Sequence, residues 1–194
     1  MKTIQIKDRY KAHFANFEKQ KNDNNRLWNI DDQSAAFLYE QIIIRRPKHI
    51  LEIGTSNGYS TFWLSLAADR SGASVESIEI EESRYRLAID NLSKRNNVKL
   101  YLGNALEIIP KLQRNYEFVF IDAGKIDYNN YLRLLLPKLV DNCVIIADNI
   151  RSHQASLEEY LNQLSHNPSF ISMSLDIGSG LELSVYNKSE EIAK

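Results

Sequence analysis

A short apolar run that leads into a glycine loop constrains this chain more than any other segment. The run is His49-Ile50-Leu51-Glu52-Ile53, and Gly54-Thr55-Ser56-Asn57-Gly58 follows it before a helix-like pattern begins. This order predicts a buried parallel strand that passes through a tight loop onto the N-terminus of a helix. Unpaired backbone N–H groups and the helix dipole favour an anionic group at such a point. The segment therefore predicts a binding site for a nucleotide-like ligand.

Composition excludes several classes of protein. The chain has 194 residues and a formal net charge of −1, which suits one domain and argues against a dedicated nucleic-acid or membrane binder. Cys143 is the only cysteine and lies in an apolar run, so no disulfide framework is expected. The start of the chain lacks an apolar signal core, and no stretch of the sequence is long and apolar enough to span a bilayer. We therefore expect a cytoplasmic protein.

The hydrophobic pattern predicts a single domain over residues 1–194, with an N-terminal helical extension (1–28) and a core (29–188). Tyr10, Phe14 and Phe17 stand at helical spacing in the extension, which ends in a polar loop at 22–25. The strands expected in the core are 49–53, 74–80, 98–102, 117–121 and 143–147, and helices are expected at 59–69, 83–95, 104–113, 128–138 and 153–165. This alternation indicates a doubly wound, mostly parallel α/β sheet. Residues 170–176 and 181–187 flank a glycine turn, which predicts a terminal antiparallel hairpin and a total of seven strands.

Candidate site residues follow each predicted parallel strand, at the strand ends where ligands bind in a sheet of this kind. They are Gly54 and Gly58 after the first strand, Glu79 after the second, Asn104 and Ala105 after the third, Asp122 and Lys125 after the fourth, and Asp148 and Asn149 after the fifth. Glu79 is placed to accept hydrogen bonds from both hydroxyls of a ribose. A solvated charge is the alternative for this residue, because Glu81 and Glu82 stand beside it.

Asp122, Asp148 and Asn149 form a second candidate set. Two carboxylates and an amide oxygen are hard ligands that suit magnesium, manganese or calcium. Each of these residues alone also serves well as a helix cap or turn residue. Their joint position at neighbouring strand ends, beside Lys125, favours a divalent metal site.

Three interpretations of the glycine loop compete. A nicotinamide site needs a second glycine where Ser56 stands, so that interpretation is weak. The loop also fits the G-x-S-x-G elbow of a serine hydrolase, with Asp122 or Asp148 and then His153 in the required order. That elbow would lie on the first strand of the sheet and would leave Glu79 without a role. The third interpretation is a methyltransferase.

Several segments in order resemble the motifs of one enzyme family. They are the glycine loop within residues 51–60, Ser77-Ile78-Glu79-Ile80, Gly103-Asn104-Ala105, Phe120-Ile121-Asp122-Ala123-Gly124-Lys125 and Ile146-Ala147-Asp148-Asn149. As a set they resemble the small metal-dependent O-methyltransferases that use S-adenosylmethionine, a family with catechol O-methyltransferase, the plant caffeoyl-CoA O-methyltransferases and many bacterial relatives. The resemblance covers about residues 28–187 and implies a Rossmann-like class I methyltransferase fold.

The resemblance implies roles for the matching residues. The set implied for cofactor binding is Asn29, Ile30, Glu52, Gly54, Thr55, Ser60, Glu79, Ile80, Asn104, Ala105 and Asp122. Asn29 and Ile30 would close over the methionine part of the cofactor, Gly54 and Ser60 would hold its backbone and carboxylate, Glu79 would bind the ribose, and Asn104 with Ala105 would bind the adenine edge. Asp122, Asp148 and Asn149 would bind the divalent ion. Lys125 and Asp122 would be catalytic.

The same resemblance implies methyl transfer to a hydroxyl group of a small, catechol-like aromatic acceptor. Vicinal oxygens can chelate one ion and hold one hydroxyl in line with the methyl group. Some bacterial relatives methylate a hydroxylated uridine in tRNA, and this is the alternative within the fold, although the low basicity of the chain counts against it. A homodimer is expected, partly from the family and partly from the aromatic N-terminal segment.

Overall fold

The helices and strands alternate along the chain as the sequence predicts. A computed structural model describes residues 3–23 and 27–188. The α-helices are α1 (Thr3–Arg9), α2 (Lys11–Asp23), α3 (Asp32–Arg45), α4 (Tyr59–Ser71), α5 (Glu82–Leu92), α6 (Ala105–Ile108), α7 (Tyr128–Leu135) and α8 (Gln154–His166). The strands are β1 (His49–Ile53), β2 (Ser74–Glu79), β3 (Val98–Leu102), β4 (Tyr116–Ile121), β5 (Leu139–Asp148), β6 (Phe170–Leu175) and β7 (Leu181–Tyr186). Within these described ranges, no helix has the length and hydropathy that a membrane span requires.

One seven-stranded sheet organises the molecule, with the strand order β3-β2-β1-β4-β5-β7-β6. The neighbouring pairs among β1 to β5 are parallel, whereas β7 pairs antiparallel with both β5 and β6. The predicted fold class, including the terminal hairpin, is therefore confirmed. The chain crosses from one side of the sheet to the other between β1 and β4, and this switch point is where ligands bind in doubly wound sheets.

The core lies in two layers, one on each face of the sheet. Phe118 and Phe120 of β4 pack with α3, α4 and α5, while Val119 and Ile121 pack with α7 and α8 on the other face. This follows from the twofold alternation of side chains along a strand. Because β4 is covered on both faces, residues 118–121 are a continuous apolar run.

The N-terminal extension consists of two helices that pack on the chain's own α4. The ring centroids of Phe14 and Phe62 are 5.6 Å apart, and those of Phe17 and Tyr59 are 5.4 Å apart. Of the predicted polar loop at 22–25, the first two residues belong to α2, and residues 24 and 25 lie outside the described residues.

Two predicted helices end early for the same reason. α6 ends at Ile108 and α7 at Leu135, and each continues as a short 3-10 helix, Ile109–Lys111 and Leu136–Lys138, that contains a proline. Proline lacks the N–H group that the next α-helical hydrogen bond requires. In contrast, β5 begins four residues earlier than the pattern predicts, because Leu139 pairs with Tyr116 before an irregularity in the ladder.

Candidate active site

Gly54 brings the carboxyl ends of β1 and β4 into contact. Its φ is +104°, and a Cβ atom at this position would lie 2.3 Å from the carbonyl oxygen of Asp122. The N–H groups of Gly54 and Thr55 donate to the carbonyl oxygen of Ile78 at 2.9 and 3.2 Å. The glycine is therefore required by close packing, and the loop after β1 is fixed to both neighbouring strands.

Glu52 lies beneath this loop and is fully buried. Ser60 and Ser77 donate hydrogen bonds to its carboxylate at 2.5 and 2.6 Å, and the hydroxyl group of Thr61 donates a third. Burial nevertheless raises the pKa of Glu52 to about 7. Its carboxylate thus faces hydroxyl groups of the protein and fixes the position of Ser60, the residue expected at the cofactor.

Glu79 is held in place by the backbone. Its carboxylate accepts hydrogen bonds from the N–H groups of Ser56 at 2.6 Å and of Glu81 at 2.8 Å. Ser56 can donate in this direction because it adopts a left-handed φ of 50°. A carboxylate has about four lone-pair sites, so this one can still accept hydrogen bonds from two ligand hydroxyls.

Buried polar atoms without partners occur in the glycine loop and in the segment before α3. Both amide atoms of Asn29, the hydroxyl oxygen of Ser56 and the side-chain oxygen of Asn57 have no hydrogen-bond partner. Such groups are costly when they are buried in a closed protein. A polar ligand with donors and acceptors would satisfy them, so the site fits the expected cofactor.

The residues expected at the adenine edge occupy the adjoining strand ends. Asn104 caps α6, where its side-chain oxygen accepts a hydrogen bond from the N–H group of Leu106 at 2.9 Å. Ala105 is buried, whereas Ile80 is 68% exposed. An apolar side chain this exposed directly after Glu79 offers a surface on which a flat ring can pack.

Lys125 and Asp122 form an ion pair at the end of β4. The Lys125 ammonium nitrogen lies 2.8 Å from Oδ1 of Asp122, and both side chains are mostly buried. Burial raises the pKa of Asp122, and the positive charge of Lys125 opposes this effect. Lys125 begins a 3-10 helix (Lys125–Asp127) that leads into α7.

Asp148 and Asn149 stand at the end of the neighbouring strand. The N–H group of Asn149, which has a left-handed φ of 69°, donates to Asp148 Oδ1 at 2.6 Å. The Tyr128 hydroxyl group donates to the carbonyl oxygens of Ile121 at 3.1 Å and Asp148 at 3.4 Å, and so connects the two strand ends. Burial, followed by the negative charge of Asp122, raises the pKa of Asp148 to about 7.

The donor set at these strand ends fits a hard divalent cation. Burial raises the pKa of both carboxylates, and the charge of Asp122 raises that of Asp148 further; a nearby cation would stabilise their ionised forms. Among residues 3–23 and 27–188, no group of three His, Cys, Asp or Glu side chains is arranged to hold a metal ion. An ion would therefore also need an oxygen such as the Asn149 carboxamide, as the sequence predicts.

The geometry does not favour the hydrolase interpretation. The hydroxyl group of Ser56 has no hydrogen-bond partner, whereas a serine nucleophile needs a base within hydrogen-bonding reach. His153 instead contacts the hydroxyl group of Ser152 at 3.0 Å.

The sequence analysis did not identify the residues that hold the candidate site residues in position. Ser77 and Thr61 complete the environment of Glu52, and Tyr128 connects β4 to β5. Ser77 reaches Glu52 because the two are register partners in adjacent strands, and no spacing along the chain reveals that relationship. The position of Tyr128 at the start of a helix after the Asp122 loop was a usable signal.

Comparison with known proteins agrees with this geometry. Residues 51–150 match the family described as a methyltransferase domain. The chain belongs to this family. The matched range begins in β1 and ends just after Asn149, so it contains the glycine loop, Glu79 and the acids of the candidate ion site.

Two relatives with known names are catechol O-methyltransferases. A catechol O-methyltransferase from Niastella koreensis is 28% identical over 137 residues, which cover 67% of this chain and 62% of that protein. A catechol O-methyltransferase from Mycobacterium tuberculosis is 32% identical over 109 residues, which cover 54% of this chain and 49% of that protein. The chain thus spans less than two thirds of the length of these two relatives. The solved structure of an O-methyltransferase from Bacillus cereus in complex with SAH is 25% identical, covers 87% of this chain and 88% of that one, and has a TM-score of 0.77.

Proposed function

We propose that this chain is an S-adenosylmethionine-dependent O-methyltransferase. Two polar groups carry the proposal: the unpartnered, buried carboxamide of Asn29 in the segment before α3, and the carboxylate of Glu79, which the backbone of the glycine loop anchors. Membership of the methyltransferase-domain family and the SAH complex of the Bacillus cereus relative support it.

The proposed cofactor site follows the strand ends. Asn29 and Ile30 cover the methionine part, Gly54, Thr55 and Ser60 hold its polar end, Glu79 accepts the ribose hydroxyls, and Ile80, Asn104 and Ala105 form the adenine edge. Glu52 is proposed to position Ser60, because its carboxylate accepts a hydrogen bond from the Ser60 hydroxyl group. Asp122 completes the set from the end of β4.

The proposed chemistry places a proton on Lys125. When bound, S-adenosylmethionine supplies the methyl group, and a divalent ion held by Asp122, Asp148 and Asn149 lowers the pKa of the acceptor hydroxyl. The amine form of Lys125 accepts the hydroxyl proton at Nζ. The ammonium group that results is stabilised by Asp122 Oδ1, 2.8 Å away. Magnesium or manganese suits these oxygen ligands, with calcium as a third option.

The proposed acceptor is a small aromatic molecule with adjacent hydroxyl groups. Two relatives carry the name catechol O-methyltransferase. Ile126, the residue after Lys125, is 88% exposed, and an exposed apolar side chain beside the proton acceptor suits an apolar ring.

Transfer of a labelled methyl group to a panel of acceptors tests the function. The panel contains catechols, caffeate-like acids and undermodified tRNA, each with magnesium and with chelator. We expect ion-dependent turnover of at least one catechol-like acceptor. If only tRNA is methylated, the proposed acceptor is wrong and the proposed enzyme class still holds. The Ser56→Ala variant tests the hydrolase alternative: a hydrolase would lose its nucleophile and all ester cleavage, whereas methyl transfer should persist, with at most weaker cofactor binding.

We also propose a homodimer and a cytoplasmic location. Phe14 and Phe17 are buried within the chain, so support for the dimer comes from the edge strand β6, where Ile171 and Met173 are exposed. Light scattering at concentrations on the order of tens of micromolar should give twice the monomer mass, and Ile171→Lys should reduce it. The single buried thiol of Cys143 suits a reducing compartment.

A further inference from the structure

Trp28 is an exposed residue in a segment whose other apolar residues are buried. It is 74% exposed, whereas Leu27, directly before it, and Ile30, two residues after it, are 2% and 8% exposed. The other tryptophan of the chain, Trp63, is fully buried. Because core residues anchor the segment at both ends, the indole is held at the surface. A large apolar surface fixed in this way is typical of a binding site.

The guanidinium group of Arg84 lies over the Trp28 ring, 5.8 Å from the ring centroid. Arg84 belongs to the first turn of α5, whereas Trp28 precedes α3. Two residues further along α5, Arg86 instead forms an ion pair with Glu82 at 2.6 Å. The Trp28–Arg84 pair therefore joins two segments that are distant in sequence.

Both members of the pair adjoin groups of the candidate cofactor site. Trp28 directly precedes Asn29, whose buried carboxamide has no partner. Arg84 follows the loop that begins at Glu79, which Ser56 fixes to the glycine loop. The start of α3, which follows the Trp28 segment, is tied to the start of α4, because the Tyr59 hydroxyl group donates to Asp32 at 3.0 Å. The pair thus connects the segment that carries Asn29 to the helix that follows Glu79.

We propose that the Trp28–Arg84 pair is a further part of the cofactor site and holds the bound ligand in place. The inference rests on the proposed binding of S-adenosylmethionine and its demethylated product. The ligand removes water from the indole, and a cation–π contact strengthens as its groups lose water. Because the pair closes two segments over an occupied site, it acts mainly on the rate of ligand dissociation.

Intrinsic fluorescence of the full-length protein tests the contact. Trp28 and Trp63 are the two tryptophans, and only Trp28 is accessible to a ligand. Titration with S-adenosylhomocysteine should shift the emission to shorter wavelength as Trp28 becomes buried. The Trp28→Phe variant should lose this shift and still bind the ligand in a calorimeter.

Dissociation rates of S-adenosylhomocysteine test the pair. Arg84→Ala should dissociate about two- to fivefold faster, and Trp28→Ala about tenfold faster because it also loses apolar contact area. The double variant should resemble Trp28→Ala, since the two residues act through one contact. Arg86→Ala is the matched control from the same helix and should keep the original rate.

Three outcomes separate the pair from the cofactor assignment. If the unaltered protein binds no S-adenosylhomocysteine in the calorimeter, both proposals are wrong. If the ligand binds and the Trp28 emission stays the same, only the role of the pair is wrong. Equal dissociation rates for Arg84→Ala and Arg86→Ala would also overturn the role of the pair.

Discussion

The ammonium nitrogen of Lys125 lies 2.8 Å from Oδ1 of Asp122, at the end of a strand whose neighbour ends in Asp148. The cluster therefore carries two acids and one base in a partly buried environment, and burial raises the pKa of both acids. A partly buried ion pair of this kind affects which of its side chains carries a proton. In the proposed mechanism, proton transfer and ion binding share the same few side chains.

Replacement of Lys125 should remove the proton acceptor without removing the ligand site. We expect Lys125→Met to lower kcat by about 10²- to 10⁴-fold, with the dissociation constant for S-adenosylhomocysteine nearly unchanged. Methyl transfer and calorimetry measure the two quantities. Lys94→Met, a change of an exposed lysine, is the control. Retention of kcat in Lys125→Met would remove this residue from the mechanism.

The sequence predicts the site wherever the signal is local. An apolar run followed by a polar residue marks a strand and its carboxyl end, so the pattern alone places Glu79, Asp122 and Asp148 at one edge of the sheet, where the fold also has them. An error of one or two residues in a predicted strand boundary matters little, because the residues that follow the strand still lie at the same edge of the sheet. The roles of these residues stay predictions until the binding and activity measurements are made.

The sequence could not predict contacts that depend on register or on loop approach. Ser77 donates to Glu52 because β1 and β2 pair these two residues. Trp28 meets Arg84 because two segments that are distant in sequence approach each other. Both relationships are set by how the whole sheet assembles, and no pattern within either segment contains them.

Replacement of Glu79 should specifically weaken binding of the cofactor. Glu79→Gln removes the charge that two ribose hydroxyls would meet, so we expect the dissociation constant for S-adenosylhomocysteine to rise about tenfold. Glu82→Gln, on the exposed face of α5, is the matched control. Calorimetry on both variants distinguishes a local loss from a general change in charge. An unchanged affinity in Glu79→Gln would exclude Glu79 from the site.

Methyl transfer should depend on a divalent ion, and this dependence should require Asp148. Chelation should abolish methyl transfer, and magnesium or manganese should restore it. Asp148→Asn should lower activity on the order of a hundredfold at limiting ion while S-adenosylhomocysteine still binds. Asp141→Asn changes an acid in the same strand that accepts the N–H group of Lys188, and it should behave like the unaltered protein. Full activity in chelator would contradict the ion site.

The N-terminal helix should support the glycine loop through Gln20. The side-chain oxygen of Gln20 accepts hydrogen bonds from the amides of Asn57 at 3.1 Å and Asn91 at 2.8 Å. Gln20→Ala should lower the free energy of unfolding by about 1 kcal/mol and should weaken S-adenosylhomocysteine binding. Lys19→Ala, on the exposed side of α2, should do neither. Urea unfolding and calorimetry are the measurements, and equal results for the two variants would remove the link.

Glu52 should make the stability of the fold depend on pH. Burial raises its pKa from 4.5 to about 7, so the folded protein binds the proton more tightly than the unfolded chain does. The corresponding stabilisation is complete below about pH 4.5 and is lost as the pH rises through about 7. A difference of this size corresponds to roughly 3 kcal/mol.

The Glu52→Gln variant isolates this effect. Glutamine is neutral at every pH and can still accept hydrogen bonds from Ser60, Thr61 or Ser77, so its unfolding free energy should fall less between pH 5 and pH 8. Urea unfolding at several pH values measures the slope, and Glu158→Gln, an exposed acid on α8, should leave the slope as it is. Asp122 and Asp148 contribute in the same direction and are present in every variant. Asp122 also raises the pKa of Glu52, so Glu52→Gln removes that interaction together with the buried charge. Identical slopes for the unaltered protein and Glu52→Gln would show that Glu52 stays ionised across this range, stabilised by its three hydroxyl donors.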